Sequence, residues 1–211
     1  MFDDSLKAIS KLSAIKTDDQ FLKFRIQEKI IVNKLSYYLF VGKYVEGVKY
    51  IKEIEDEFIE NESQYNSLFF TSAIHSFEMI YFFMGDFSQA LKWINKIFSF
   101  KNSLRPDIIC FTKVLNLMVH YEMKNYDHLE YILKSTENFL VKQHSFKSYY
   151  KEMVLFLKKI VIIQNREELK KEFLSLSARL VNYETMDETL VIFQLFNFRK
   201  WADKKVLEYS L

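Results

Sequence analysis

Apolar residues recur every three to four positions over most of the chain, the spacing that places side chains on one side of an α-helix. This pattern predicts four long helices, each followed by a short polar junction and a second helix. The first helices are predicted at residues 20–41, 64–84, 105–123 and 146–164. The second helices are predicted at residues 44–60, 87–100, 126–143 and 166–182. Single helices at about 3–16 and 186–208 flank these pairs, so the chain is predicted to be all-helical.

The junctions inside the pairs recur at nearly constant spacing. They read Gly42-Lys43-Tyr44, Gly85-Asp86-Phe87, Lys124-Asn125-Tyr126 and Gln164-Asn165-Arg166, and their first residues are 43, 39 and 40 positions apart. A small or apolar residue follows each junction at the same distance, namely Gly47, Ala90, Leu129 and Leu169. We expect Ala90 to be buried where two helices cross. Self-similarity at a fixed period of this length indicates a helical repeat.

One junction resembles a known family. The segment Gly85-Asp86-Phe87-Ser88-Gln89-Ala90 is similar to the turn of a tetratricopeptide repeat, and Tyr38 and Tyr81 match the aromatic that precedes this turn. The resemblance covers residues 20–183 and implies a right-handed α-solenoid of about four antiparallel helix pairs, with N- and C-terminal capping helices, in a single domain of residues 1–211.

The chain departs from that family in three respects. Glu78 stands where the family has a small residue, the third and fourth junctions lack glycine, and the period exceeds the family's 34 residues. A HEAT-like stack, which has a similar period, is therefore the alternative fold.

The resemblance also implies that the first helices line a concave binding face. The register of the second pair places Ser72, His75, Met79 and Phe82 on that face. The same register in the later pairs adds Val114, Met118, Tyr121 and Lys158. We expect Met79 and Phe82 to be partly accessible to solvent. The same residue types suit an ordinary helical core equally well, and the sequence leaves this alternative open.

Composition agrees with long helices and a cytoplasmic protein. Only three Gly and one Pro occur in 211 residues, too few for many turns. The net charge of +2 gives no global field that would select nucleic acid, and no apolar run approaches the roughly 18 residues of a membrane span. The N-terminus lacks the pattern of a secretory signal, and the single cysteine, Cys110, cannot form an internal disulfide.

Candidate chemistry is sparse. His75 and Glu78 stand three positions apart on one helix, where their side chains can meet, but two such ligands do not make a metal site. Cys110 lies in an apolar stretch and is expected to be buried, and the chain carries neither a phosphate-binding loop nor a nucleophile elbow. No catalytic, cofactor-binding or metal site is therefore predicted.

These observations predict a non-enzymatic scaffold that binds a peptide or partner protein on a concave helical surface, without nucleic acid, membrane or cofactor. Similar helical repeats in bacteria bind small signalling peptides, so a peptide-sensing regulatory protein is the first alternative. An all-helical enzyme whose site is not recognisable from the sequence is the second.

The last predicted helix indicates self-association. Its cap is expected at Thr185, and the run from Leu190 to Phe198 is apolar around nearly the whole helical circumference, with Trp201 extending it. Monomers seldom expose apolar patches larger than a few hundred Å². A two-fold homodimer through residues 186–208 would cover the patch, and deep burial between earlier helices is the alternative.

Overall fold

The computed structural model of this chain describes residues 2–100, 106–142, 148–184 and 196–211. Their regular structure consists of α1 (Phe2–Ser13), α2 (Gln20–Val41), α3 (Tyr44–Glu60), α4 (Ser67–Met84), α5 (Phe87–Ser99), α6 (Pro106–Glu122), α7 (Tyr126–Lys142), α8 (Ser148–Ile160), α9 (Arg166–Glu184), α10 (Phe198–Glu208) and a 3₁₀ turn at Glu62–Gln64. Within these ranges there is no strand, and the all-helical prediction is confirmed. Among the described helices, none is long and apolar enough to cross a membrane.

Three of the four junctions close in the same way. Gly42, Gly85 and Lys124 each follow a first helix with positive φ values of 72°, 80° and 58°. The amide of the left-handed residue donates to the carbonyl three positions earlier, as from Gly85 to Phe82 (3.0 Å) and from Lys124 to Tyr121 (3.0 Å). The next amide donates to the carbonyl five positions earlier. This double closure satisfies carbonyls that the end of a helix otherwise leaves unpaired.

The second helices begin in the same register. The amides of Gly47, Ala90, Leu129 and Leu169 each donate to the carbonyl four residues earlier, at 2.9–3.0 Å. All four residues are buried, and Ala90 has no exposed surface, as predicted. A Cβ added to Gly47 would lie 3.1 Å from Ile80 Cγ2 and 3.3 Å from Tyr38 Cβ, so α3 approaches α2 and α4 too closely for a larger residue to fit without movement.

Two predicted helices differ from the structure. The helix predicted at 146–164 ends at Ile160, before three consecutive β-branched residues at 161–163 whose helix propensity is low. The helix predicted at 186–208 begins only at Phe198, where Asn197 supplies a side-chain cap that accepts the Lys200 amide (2.9 Å). The expected cap at Thr185 and most of the apolar run lie outside the described residues.

The chain divides into two compact units, Met1–Ile109 and Cys110–Leu211. In the first, α4 packs against α2, α3 and α5. Its core is a chain of aromatic rings, in which Phe58 stacks on Phe70 (4.5 Å between centroids) and Phe77 meets Trp93 edge-on (4.8 Å). Glu28 of α2 anchors the start of α4 by accepting the Asn66 amide at 2.8 Å.

In the second unit, α9 packs against α8 and α10. Its core is also aromatic: Phe173 of α9 meets Phe156 of α8 (4.9 Å) and Trp201 of α10 (5.2 Å), both edge-on. All three side chains are buried. These three helices therefore pack together largely through their aromatic rings, since each ring buries much apolar surface.

Candidate functional site

Two of the four residues predicted to face a groove in the first unit are enclosed. Met79 and Phe82 expose 1% and 4% of their surface, so the expectation that they are partly accessible is wrong. Ser72 and His75 are half-buried. The Ser72 hydroxyl donates to the Leu68 carbonyl of its own helix at 2.7 Å, a local bond that already uses its donor. The structure therefore leaves Ser72 and His75 as the accessible part of this predicted set.

The second unit shows the same outcome. Val114 and Met118 are fully enclosed and Tyr121 exposes 4%. From Cys110 to Tyr121 the half-buried positions of α6 are Lys113 and Asn116, and all the others are buried. Because α6 is apolar on nearly every side, its sequence does not indicate which side is accessible to solvent. This explains why buried residues of α6 were predicted to face a groove.

Lys158 is the exposed member of the predicted set. Its ammonium lies on α8 and pairs with Glu137 of α7 at 2.9 Å. Exposed ion pairs of this kind contribute little to stability, so this one adds little to the packing of α8 on α7.

His75 and Glu78 meet as the sequence allows. His75 Nδ1 lies 2.5 Å from Glu78 Oε1, and Glu78 has no exposed side-chain surface. A carboxyl group removed from water requires hydrogen bonding or an opposite charge. The pair with His75 therefore supplies a polar partner for a carboxyl group that has no exposed surface.

A more elaborate polar cluster, not anticipated from the sequence, surrounds Glu122 at the end of α6. Its Oε1 accepts a hydrogen bond from the indole N–H of Trp201 at 2.6 Å, and its Oε2 accepts one from the Lys205 ammonium at 3.0 Å. Lys205 also pairs with Glu208 at 2.6 Å. Burial alone would lower the pKa of Lys205, but Glu122 and Glu208 outweigh it and raise that pKa above its usual range.

Tyr121 lies beside this cluster and is covered by α10. Its hydroxyl is 3.0 Å from that of Tyr209, and its ring meets Trp201 edge-on at 6.2 Å. Burial, followed by the hydrogen bond with Tyr209, raises the pKa of Tyr121. The sequence signal for this site was the spacing of Phe198, Trp201, Ala202 and Lys205, which lie on one side of a helix.

A second group of polar side chains lies along α6 and α7. The Lys113 ammonium sits 4.7 Å from the centre of the Phe139 ring, and burial lowers the pKa of Lys113. The rings of His120 and His128 are 4.5 Å apart, and burial, then His128, lowers the pKa of His120. Near-neutral pH therefore favours the uncharged imidazole at His120.

The outer side of α7 carries a shallow open depression of about 750 Å³. Its described lining comes from this helix alone and mixes charges of both signs with aromatic rings, as in Asp127, Glu130, Tyr131, Lys134 and Phe139. Polar groups do not converge on one point there, in contrast to the two donors that meet at Glu122.

Across the ranges that the structure describes, no three or more His, Cys, Asp or Glu side chains are grouped so that they could hold a metal ion. Comparison with known proteins adds no assignment: no family model, no curated protein and no solved structure matches this chain.

Proposed function

We propose that this chain is a non-enzymatic, cytoplasmic scaffold of tetratricopeptide-like helix pairs, stacked as a right-handed solenoid, that binds a peptide or partner protein on its helical surfaces. The observation that carries the proposal is the shared closure of three junctions at Gly42, Gly85 and Lys124. A closure that recurs with the period of the sequence supports one supersecondary unit used repeatedly.

The packing of the first unit supports this proposal. The first helix of the second pair, α4, contacts both helices of the preceding pair as well as its own partner, α5. Nearest-neighbour stacking of this kind characterises helical repeats, whose extended surfaces serve as binding faces. Among the residues predicted to bind, Ser72, His75 and Lys158 are accessible in this structure.

The experiment is affinity capture from the native cell with the tagged chain, using an unrelated helical protein as the reference bait. We expect specific enrichment of a protein partner. The Lys158→Glu variant should lower its recovery because it reverses the charge of an exposed predicted contact. Lys23→Glu is the matched control, since Lys23 is also an exposed lysine on a helix. A bait that enriches nothing above the reference contradicts the proposal.

A further inference from the structure

The final helix, α10, is bound to the second unit in the way a helical ligand binds a receptor. Its buried residues are Phe198, Trp201, Ala202 and Lys205, at positions i, i+3, i+4 and i+7. Amphipathic helices that dock into grooves use this spacing for their anchors. On the opposite side, Lys200 and Lys204 are exposed. One side of α10 thus carries all of its anchors.

Three helices of the second unit form the surface beneath α10. Phe198 lies 5.7 Å from Phe111 of α6. Trp201 lies edge-on to Phe156 of α8 (6.2 Å) and Phe173 of α9 (5.2 Å). The surface is therefore an aromatic cradle built from side chains of α6, α8 and α9.

One carboxylate gives this cradle chemical selectivity. The two oxygens of Glu122 accept from two different donors of α10, the Trp201 indole and the Lys205 ammonium, which lie one helical turn apart. Charge-assisted hydrogen bonds are stronger than neutral ones and are directional. Glu122 therefore selects, within this chain, an aromatic N–H donor and a lysine four residues later on the docked helix.

The helical order of α10 depends on its contact with the second unit. An isolated helix of the length of α10 is marginal in water, so α10 gains its helical order by docking. The buried pair of Lys205 and Glu122 contributes little net stability, since its attraction is offset by the loss of hydration. Most of the binding energy must come from aromatic burial, which another helix of similar pattern can supply.

We propose that the face formed by Tyr121, Glu122, Phe156 and Phe173 is the partner-binding face of the second unit and that α10 occupies it in cis. The partner is an amphipathic helix with tryptophan and lysine four residues apart. This inference rests on the proposed scaffold function. Because α10 is tethered, its effective concentration is on the order of millimolar or higher, and a partner must compete with it.

The test uses the full chain and a fluorescent synthetic peptide of residues 196–211 as the probe. The double variant Trp201→Ala/Lys205→Ala removes both donors to Glu122 and loosens α10. We expect the parent to show little change in peptide anisotropy, and the variant to bind the peptide at least tenfold more tightly. The matched control, Lys200→Ala/Lys204→Ala on the exposed side, should behave like the parent. Adding Glu122→Gln to the loosened variant should weaken peptide binding about tenfold.

The proposal is overturned if the loosened variant folds, with circular dichroism like that of the parent, and does not bind the peptide. Equal peptide binding by parent and variant also overturns it. Should the variant not fold, hydrogen exchange on the parent decides: α10 amides should exchange faster than those of α6 and α9, because local opening precedes global unfolding. If the amides of α10 and α6 are equally protected from hydrogen exchange, α10 does not leave this face separately, and the proposal is contradicted. If the parent and the loosened variant capture the same amount of partner, the scaffold function stands but this face is not where the partner binds.

Discussion

Ala90 tests the register that the sequence predicts for the helix pairs. It is fully buried in α5 at the position that follows the Gly85 junction. Replacing it with leucine inserts three additional carbon atoms into an enclosed site, and we expect Ala90→Leu to cost on the order of 1–3 kcal/mol of unfolding free energy. The measurement is the urea midpoint by circular dichroism. Asn95→Leu, on the exposed side of the same helix, is the control and should shift the midpoint little. Equal midpoints for parent and Ala90→Leu would show that the position is not a tight contact.

Buried tyrosines contribute to the response of the first unit to alkaline pH. Burial raises the pKa of Tyr65 and of Tyr81 to about 12, against about 10 in an unfolded chain. Between these values the unfolded chain has lost protons that the folded chain retains, so stability falls as pH rises from about 10 to 12. We expect a lower urea midpoint at pH 11 than at pH 8, and a smaller loss in Tyr65→Phe and in Tyr81→Phe. The same loss in parent and both variants would contradict this assignment.

The buried hydroxyl of Tyr65 leads to a further prediction, at neutral pH. This hydroxyl has no hydrogen-bond partner in the structure. Removing an unsatisfied buried polar group avoids its desolvation cost, so Tyr65→Phe should leave the unfolding free energy unchanged or raise it by up to about 1 kcal/mol. The urea midpoint at pH 7 measures this effect. A clear loss of stability would mean that the hydroxyl is satisfied, for example by water.

At the level of the elements, the junctions decided how well the helices could be predicted. The bounds predicted for α2 and α3 agree with the structure, because Gly42 marks the left-handed closure between them. The third junction was found through its spacing and its aromatic residue, Tyr126, because Lys124 adopts the same conformation without being glycine. The end of α8 was predicted too late because the β-branched residues that follow are also apolar and extend the helical pattern.

The face of a helix was harder to predict than its ends. In α4 and α6 apolar residues surround nearly the whole helix, so hydrophobic periodicity does not single out one side. The register was then taken from the family resemblance, which placed Met79 and Tyr121 toward a groove. Both are buried, and Tyr121 is covered by α10. A contact between residues 88 positions apart, such as that of Tyr121 with Tyr209, leaves no local signal in a single sequence.

The left-handed junctions can be exchanged as a test of their equivalence. Gly85 has a φ of 80° with open space around a built Cβ, so Gly85→Lys should be destabilising by roughly 1–2 kcal/mol through backbone strain alone. Lys124→Gly relieves the same strain at φ 58° and should raise stability by up to about 1 kcal/mol. Thermal unfolding measures the change in stability of each variant relative to the parent. Shifts of the same sign would show that the two junctions are not equivalent.

For the whole molecule, the sequence predicted one domain, and the structure divides the chain into two compact units. Each has its own aromatic core, around Phe58 in one and Phe173 in the other. The single-domain prediction requires that both units unfold together. Coincident denaturation curves by circular dichroism and by tryptophan fluorescence, which reports Trp93 in the first unit and Trp201 in the second, would agree with it.

The predicted homodimer is also a property of the whole molecule. Of the apolar patch expected from Leu190 to Phe198 and at Trp201, the residues Phe196, Phe198 and Trp201 are buried within their own chain. Elsewhere on the final helix, Leu207 exposes 68% of its surface. Phe196→Glu would therefore damage the core rather than probe an interface, and Leu207→Glu is the sharper variant. The homodimer requires a sedimenting mass near twice 25.5 kDa at micromolar concentration, with Leu207→Glu shifting it toward the single chain. A parent that sediments at 25.5 kDa contradicts the homodimer.

The central claim is that this chain acts by binding another protein without changing it chemically. The most direct measurement is calorimetric titration of the full chain with its captured partner in purified form, followed by the intact mass of that partner. The account predicts saturable binding and an unchanged partner mass. Heats that do not saturate, or a partner whose mass has changed after incubation, would contradict it.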